Sequence, residues 1–94
     1  MESLMEDEKR FLVRCRISRG FFDGEYLVMV AGSSAYVNQR NVRPEEDPVK
    51  GEVGGLVSAY VIEREGDRAL IELPGQAVVG GVRTWVPWNL LSVA

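Results

Sequence analysis

Hydrophobic and polar residues alternate along the first well-defined segment of the chain, between Phe11 and Ser18. One face of this segment carries Phe11, Val13, Cys15 and Ile17. The opposite face carries Leu12, Arg14, Arg16 and Ser18. Because successive side chains of a β-strand point to opposite faces, this pattern predicts a strand with one face buried.

Turn signals break the rest of the chain into further short segments with β-strand character. The pattern predicts strands over 26–31, 35–38, 69–73, 84–86 and 90–93, and a glycine-bent strand over 49–64. Two prolines make 43–48 a solvent-facing loop, because proline fixes φ and cannot donate a backbone hydrogen bond. Residues 76–83 are predicted to form a flexible loop or a loose hairpin, and 87–89 a single 3₁₀ turn. Short strands without a convincing helix indicate an all-β barrel.

The second part of the chain repeats the pattern of the first. Each copy has a polar turn, an apolar strand, a glycine and then the series aromatic-Val-x-x-x-x-aliphatic. The segment from Tyr36 to Val42 matches the segment from Trp85 to Leu91. We therefore expect an internal pseudo-repeat with one shared core. The predicted members of this core are Val28, Val30, Val37, Val57, Ile71, Val86 and Leu91.

The run Trp85-Val86-Pro87-Trp88-Asn89-Leu90-Leu91 resembles the aromatic-Val-Pro-x-Asn-Tyr-Val ending of SH3 domains. Together with the spacing Gly51-x-x-Gly54-x-x-Val57 and the hairpin 60–73, it makes residues 25–93 similar to the SH3-like barrels. The resemblance implies a small barrel of about five to seven short antiparallel strands. It also implies that Val86 and Leu91 lie in the core, and that a groove is faced by Trp85, Pro87 and Leu90. Bacterial accessory barrels of this kind serve as docking modules, antirepressors or subunits of larger assemblies.

Length and composition fit one folded domain. Of the 94 residues, 46% are hydrophobic and 27% are charged, which is ordinary for a globular protein. We expect residues 1–9 to form a flexible acidic N-terminus and residues 10–94 to form a single domain. Apolar runs are too short for a membrane span, and the acidic start lacks the basic and apolar regions of a secretory signal. With a single cysteine as well, the sequence predicts a cytoplasmic protein without a membrane partner.

The sequence offers little chemistry for catalysis. It contains no histidine, which is the usual residue for proton transfer and a common metal ligand. Cys15 shares an apolar strand face, which predicts a buried and inert thiol rather than a nucleophile. The acidic run Glu45-Glu46-Asp47 lacks the ligand spacing of a calcium loop. We therefore expect no enzyme activity, no bound metal and no cofactor.

The aromatic residues give the strongest indication of function, because tryptophan and tyrosine are enriched at protein-binding hot spots. Strand alternation around an inward-pointing Val86 predicts an exposed apolar patch on the outer surface. The predicted members of the patch are Tyr36, Trp85, Pro87, Trp88 and Leu90. We expect this patch to bind another protein or a second copy of the chain, which makes the protein a non-enzymatic docking or regulatory module.

Two alternative functions stay open at this point. The first strand could contact nucleic acid through its arginines, although a net charge of −3 disfavours binding to phosphates. These residues are Arg10, Arg14, Arg16 and Arg19. The chain could also serve as an accessory subunit of an enzyme complex.

Overall fold

Nine strands build the part of the molecule that the structure describes. A computed structural model describes residues 10–93, so the predicted flexible N-terminus lies outside the described residues, and the domain boundary at residue 10 stays a prediction. The strands are β1 (Arg10–Arg19), β2 (Glu25–Val30), β3 (Ser33–Asn38), β4 (Val42–Pro44), β5 (Val53–Glu65), β6 (Arg68–Glu72), β7 (Gly75–Val79), β8 (Arg83–Pro87) and β9 (Leu91–Val93). Two 3₁₀ turns, Gln39–Asn41 and Trp88–Leu90, precede β4 and β9. The predicted all-β fold is confirmed, with more strands than the five to seven expected.

The strands form one antiparallel sheet that curls into a half-barrel. Its order is β7-β3-β2-β1-β5-β6-β8, and the two shortest strands lie off this path, with β4 paired to β5 and β9 paired to β1. We call residues 10–44, which contain β1 to β4, the first half, and residues 53–93, which contain β5 to β9, the second half. Each half thus adds its last strand to the first strand of the other half. Within the described residues, no helix has the length and apolar character needed to cross a membrane.

The core lies on the concave face of the sheet and is aliphatic. Its largest fully buried side chains include Val13, Ile17, Val28, Val37, Val57, Ile71, Leu73 and Val86. Six of the seven predicted core residues are buried, and Leu91 is half-buried and packs against them. Strand alternation therefore predicted the inward face correctly on β2, β3, β5, β6 and β8.

The long strand β5 joins the two halves, and its glycines allow the close packing this requires. The first part of β5 lies between β1 and β4, and the second part pairs with β6 after a register shift near Ile62. At Gly55, a Cβ atom would collide with the Ile17 side chain and lie 2.6 Å from the Arg43 carbonyl oxygen. The predicted glycine-bent strand is therefore present, because a larger residue would push β1 and β4 away from β5.

Two predicted loops are wrong in part. Residues 76–83, expected to be a loop or loose hairpin, contain most of β7, which pairs with β3. Gly75 makes this pairing possible, because a Cβ there would collide with the carbonyl oxygen of Tyr36. Residues 43–48, expected to face solvent, begin inside β4, and Pro48 is fully buried. Pro44 is tolerated because β4 is a three-residue strand outside the main strand order. The backbone N–H that proline lacks therefore removes no hydrogen bond from a central pair of strands.

Candidate functional site

The predicted patch does not exist as one surface. Tyr36 lies on β3 and Trp85 on β8, and four strands separate β3 from β8 in the sheet order. Val86 is buried and Pro87 is exposed, as the alternation predicts, and Trp85 is half-buried on the outer face. The two halves therefore present two separate outer surfaces, each with one aromatic ring at its centre.

The outer surface of the second half is covered by charged groups. Trp85 pairs across the strands with Leu70, and the Arg68 guanidinium lies 5.1 Å from the centroid of the indole. In the next cross-strand pair on this face, Arg83 Nε donates a hydrogen bond to Glu72 Oε1 at 2.8 Å. A cation over an indole and an adjacent ion pair hydrate this face and cover part of its apolar area.

The outer surface of the first half is apolar. Tyr36 pairs with Leu27, and the next pair on this face is Met29 with Ser34. The charge nearest to these pairs is Arg16, which lies beside Met29 on β1 and whose guanidinium is bound by Glu52. Phe21 stacks on Tyr36, with ring centroids 6.4 Å apart and ring planes 6° apart, while 81% of Phe21 is exposed. We call Phe21, Phe22, Leu27, Met29 and Tyr36 the Tyr36 surface. It is the most exposed apolar cluster among residues 10–93 that has aromatic rings in contact.

The expected exposure of Trp88 and Leu90 is wrong. Both are half-buried and pack against the core. The Trp88 and Phe11 rings meet edge to face with centroids 5.5 Å apart, and the Arg64 guanidinium lies over the Trp88 ring, 3.9 Å from its centroid. The 3₁₀ turn Trp88–Leu90 redirects the chain after β8, so the alternation that sends Trp85 outward no longer applies at Trp88.

Phe21 and Phe22 were not among the predicted site residues. They lie in the connection between β1 and β2, and 81% and 72% of their areas are exposed. Six residues separate Arg19 from its partner Tyr26, whereas four separate the corresponding pair Arg64 and Ala69 on β5 and β6. A signal was present in the sequence, because two consecutive phenylalanines in a polar connection have no strand to bury them.

A pocket of about 390 Å³ opens beside the β1–β2 connection. Arg19, Phe21, Phe22, Tyr26 and Gln39 line it together with three carboxylates. These acidic residues are Asp23, Glu25 and Asp47. We call this site the Arg19 pocket. Its volume lies in the range of roughly 300–1,000 Å³ that ligand pockets occupy.

The four arginines of β1 do not form one basic surface. Strand alternation places Arg10, Arg14 and Arg16 on the outer face and Arg19 on the opposite face. Arg16 Nε donates to Glu52 Oε1 at 2.9 Å, and the Arg10 side chain donates to the Tyr60 hydroxyl at 3.0 Å. Two of the four side chains are therefore already bound within the protein.

Cys15 is half-buried and packs against the core. Burial raises the pKa of its thiol to about 12, because desolvation disfavours the thiolate. The thiol is therefore protonated at neutral pH, which is the inert state that the sequence predicts. Within residues 10–93, no three histidine, cysteine, aspartate or glutamate side chains lie close enough together to hold a metal ion.

The chain matches no protein-family model, no curated protein and no solved structure.

Proposed function

We propose that this protein is a non-enzymatic interaction module that binds a partner protein through the Tyr36 surface. The observation that carries the proposal is the exposure of Phe21 together with its stacking on Tyr36. Apolar rings left bare on a small domain are costly in water, and aromatic residues dominate the binding energy of protein interfaces. Tyr36 therefore keeps its predicted role, whereas Trp88 and Leu90 serve the core.

The charged groups around Trp85 in the second half support the assignment of binding to the Tyr36 surface. Trp85 and Tyr36 hold corresponding places beside Leu70 and Leu27, but only Trp85 lies under a guanidinium. A partner would have to displace Arg68 to reach Trp85, whereas the Phe21 ring that stacks on the half-buried Tyr36 is 81% exposed. We therefore assign binding to the first half.

The fold proposed for this module is an SH3-like barrel. The 3₁₀ turn Trp88–Leu90 followed by the short strand β9 supports it, because the resembled SH3 ending also has a 3₁₀ turn before its last strand. The half-barrel of short antiparallel strands is compatible with that group.

We also infer that the two halves are copies of one unit. In the first half, Val28 on β2 lies between Ile17 on β1 and Ala35 on β3. In the second half, Ile71 on β6 takes the corresponding place between Val61 on β5 and Thr84 on β8. The pairings around these core residues therefore correspond, apart from the register shift near Ile62 on β5.

The exchanged last strands support the same inference. Val42 on β4 pairs with Val57, and Leu91 on β9 pairs with Val13. Val13 and Val57 pair with each other at the centre of the sheet. The arrangement is that of a two-fold pseudo-symmetry whose axis passes between these two valines.

The nucleic-acid alternative has less support than protein binding. The outer arginines of β1 are divided between solvent and contacts with Glu52 and Tyr60, and they are not interleaved with exposed aromatic rings on their own strand. Binding of single strands relies on such rings together with a continuous positive groove. The role of an accessory enzyme subunit is a special case of the docking function proposed here.

The Tyr36 surface can be tested with two matched variants. The protein is used as bait, a stoichiometric partner is identified and purified, and binding is measured with the purified components. Phe21→Ser should weaken binding at least about tenfold, because hot-spot rings contribute most of the affinity. Val93→Ser is the control, since Val93 on β9 is also 81% exposed and apolar. Equal binding by both variants would show that the partner uses a different surface.

A further inference from the structure

The β1–β2 hairpin of the first half can be compared position by position with the β5–β6 hairpin of the second half. Arg19 pairs with Tyr26 between β1 and β2, and Arg64 pairs with Ala69 between β5 and β6. Each pair is the second after the matching core pair, and β5 differs from β1 only in the extra residue Ile62 at its register shift. Arg64 therefore corresponds to Arg19, and Ala69 corresponds to Tyr26.

The two 3₁₀ turns extend this correspondence. The backbone N–H of Gln39 donates to the Gly24 carbonyl oxygen at 2.8 Å. The backbone N–H of Trp88 donates to the Asp67 carbonyl oxygen at 2.7 Å. Each bond ties the first residue of a 3₁₀ turn to the hairpin of the same half, so Gln39 holds the place of Trp88.

The second half fills this place with its own ring. The Arg64 guanidinium lies 3.9 Å from the centroid of Trp88, and its Nε donates to the Gly66 carbonyl oxygen at 2.9 Å. The guanidinium is therefore held in position over the indole by the hairpin itself. Stacking of this kind is favourable because the cation meets the electron-rich face of the ring.

The first half has no ring under its arginine. Gln39 is exposed, and Arg19 lines an open pocket with Tyr26 and Phe22 instead of covering an indole. Tyr26 replaces Ala69 and packs against the core, so the core is closed below the pocket. The Arg19 pocket thus combines a guanidinium and two aromatic walls with free space.

The charges around the pocket limit what can enter it. Asp23, Glu25 and Asp47 oppose the single positive charge of Arg19. Phosphate groups would be repelled by this rim, whereas lysine or arginine side chains would be attracted. The surroundings therefore fit a protein segment with basic residues better than a nucleic acid.

We propose that the Arg19 pocket binds a tryptophan side chain of the partner protein, presented between basic residues. The incoming indole takes the place under Arg19 that Trp88 takes under Arg64, with Phe22 and Tyr26 as neighbouring walls. Phe22 belongs to the Tyr36 surface as well, so the pocket and the surface form one continuous binding region. This inference rests on the proposed function and specifies the chemistry of its partner.

The test uses a short peptide with the sequence Lys-Lys-Trp-Lys-Lys, blocked at both ends, and two matched peptides. One has leucine in place of tryptophan, and the other has glutamate in place of every lysine. Amide shifts of the isotope-labelled protein are followed as each peptide is added up to millimolar concentration. We expect saturable shifts at residues 19–26, 39 and 47 with the tryptophan peptide, and at least about tenfold weaker binding of the leucine and glutamate peptides.

Two protein variants show whether the arginine acts as proposed. Arg19→Ala should weaken binding of the tryptophan peptide about tenfold, because it removes the cation that covers the ring. Arg64→Ala should leave binding of the tryptophan peptide unchanged, because its guanidinium covers an internal ring.

Several results would overturn the inference. These are equal binding of the tryptophan and leucine peptides, shifts that cluster in the second half, or no shifts at millimolar peptide. Saturable shifts at the same residues with a single-stranded oligonucleotide would replace the partner protein by a nucleic acid. If Phe21→Ser abolishes partner binding while no peptide enters the pocket, only this inference fails. If the tryptophan peptide binds but Phe21→Ser leaves the partner bound, the Tyr36 surface fails instead.

Discussion

The two halves of the molecule, which we propose to be copies of one unit, differ beside the β1–β2 and β5–β6 hairpins. In the second half, Trp88 is covered by Arg64 and packs on Phe11. In the first half, the matching position holds Gln39, and Arg19 faces an open pocket. The same contrast holds on the outer faces, where Arg68 covers Trp85 and the ring of Phe21 stacks on Tyr36 in the open.

We interpret this difference as a division of stabilising and binding roles within one framework. In the second half, the Trp88 ring supplied by the chain itself packs against the core and occupies the place under Arg64. The first half closes its core with Tyr26 and keeps an uncovered aromatic surface and a pocket next to it. Under the function proposed above, the second half contributes stability and the first half contributes binding.

The largest effect should come from removing the ring of the second half. Trp88→Ala should lower the free energy of unfolding by about 2–4 kcal/mol, because the indole packs on Phe11 and the core. Gln39→Ala is the matched change in the first half and should alter stability by less than about 0.5 kcal/mol, as is typical of exposed positions. Urea unfolding measures both. Similar costs for the two variants would mean that the halves do not differ in the way described.

A smaller effect concerns Cys15, whose matching position in the second half is the buried Ala59. The folded-state pKa of about 12 lies above the ordinary value of 9.0, so the folded protein retains a proton that the unfolded chain releases. The contribution of this group to the free energy of unfolding is fully present below pH 9.0 and is lost as the pH rises toward about 12.

The comparison variant for this effect is Cys15→Ala, which copies the second half. Wild type should lose more stability than Cys15→Ala between about pH 7 and about pH 10, measured by urea unfolding at both values. An identical loss in the two proteins would mean that the thiol is not desolvated in the fold.

Much of the fold could be predicted from the sequence, because burial imposes a local period of two on each strand. The inward side chains of Val28, Val37 and Val86 follow from alternation alone. The strand β7 could not be predicted, because its side chains are exposed and its only regular feature is the backbone pairing with β3. This pairing joins segments that are far apart in the chain, and the turn residues on either side of β7 make its sequence resemble a loop.

The candidate site was harder to predict than the fold. Alternation gives the outward direction of Tyr36, but the direction of Trp88 depends on a 3₁₀ turn and on Arg64, which lies far from it in the sequence. The stacking of Phe21 on Tyr36 depends on how the β1–β2 connection folds back over β3. Residue type alone indicated aromatic binding, and tertiary packing decided which rings remain exposed.

We infer that Tyr26 and Gln39 in the first half correspond to Ala69 and Trp88 in the second half. A double-mutant cycle on Tyr26→Ala and Gln39→Trp tests it most directly, because the double variant recreates the residue pair of the second half. Tyr26→Ala alone should destabilise the protein. Gln39→Trp should restore at least half of that loss, with a favourable coupling of at least about 1 kcal/mol measured by urea unfolding. If the effects of the two substitutions simply add, or if the double variant is the least stable of the set, the correspondence between the halves is contradicted.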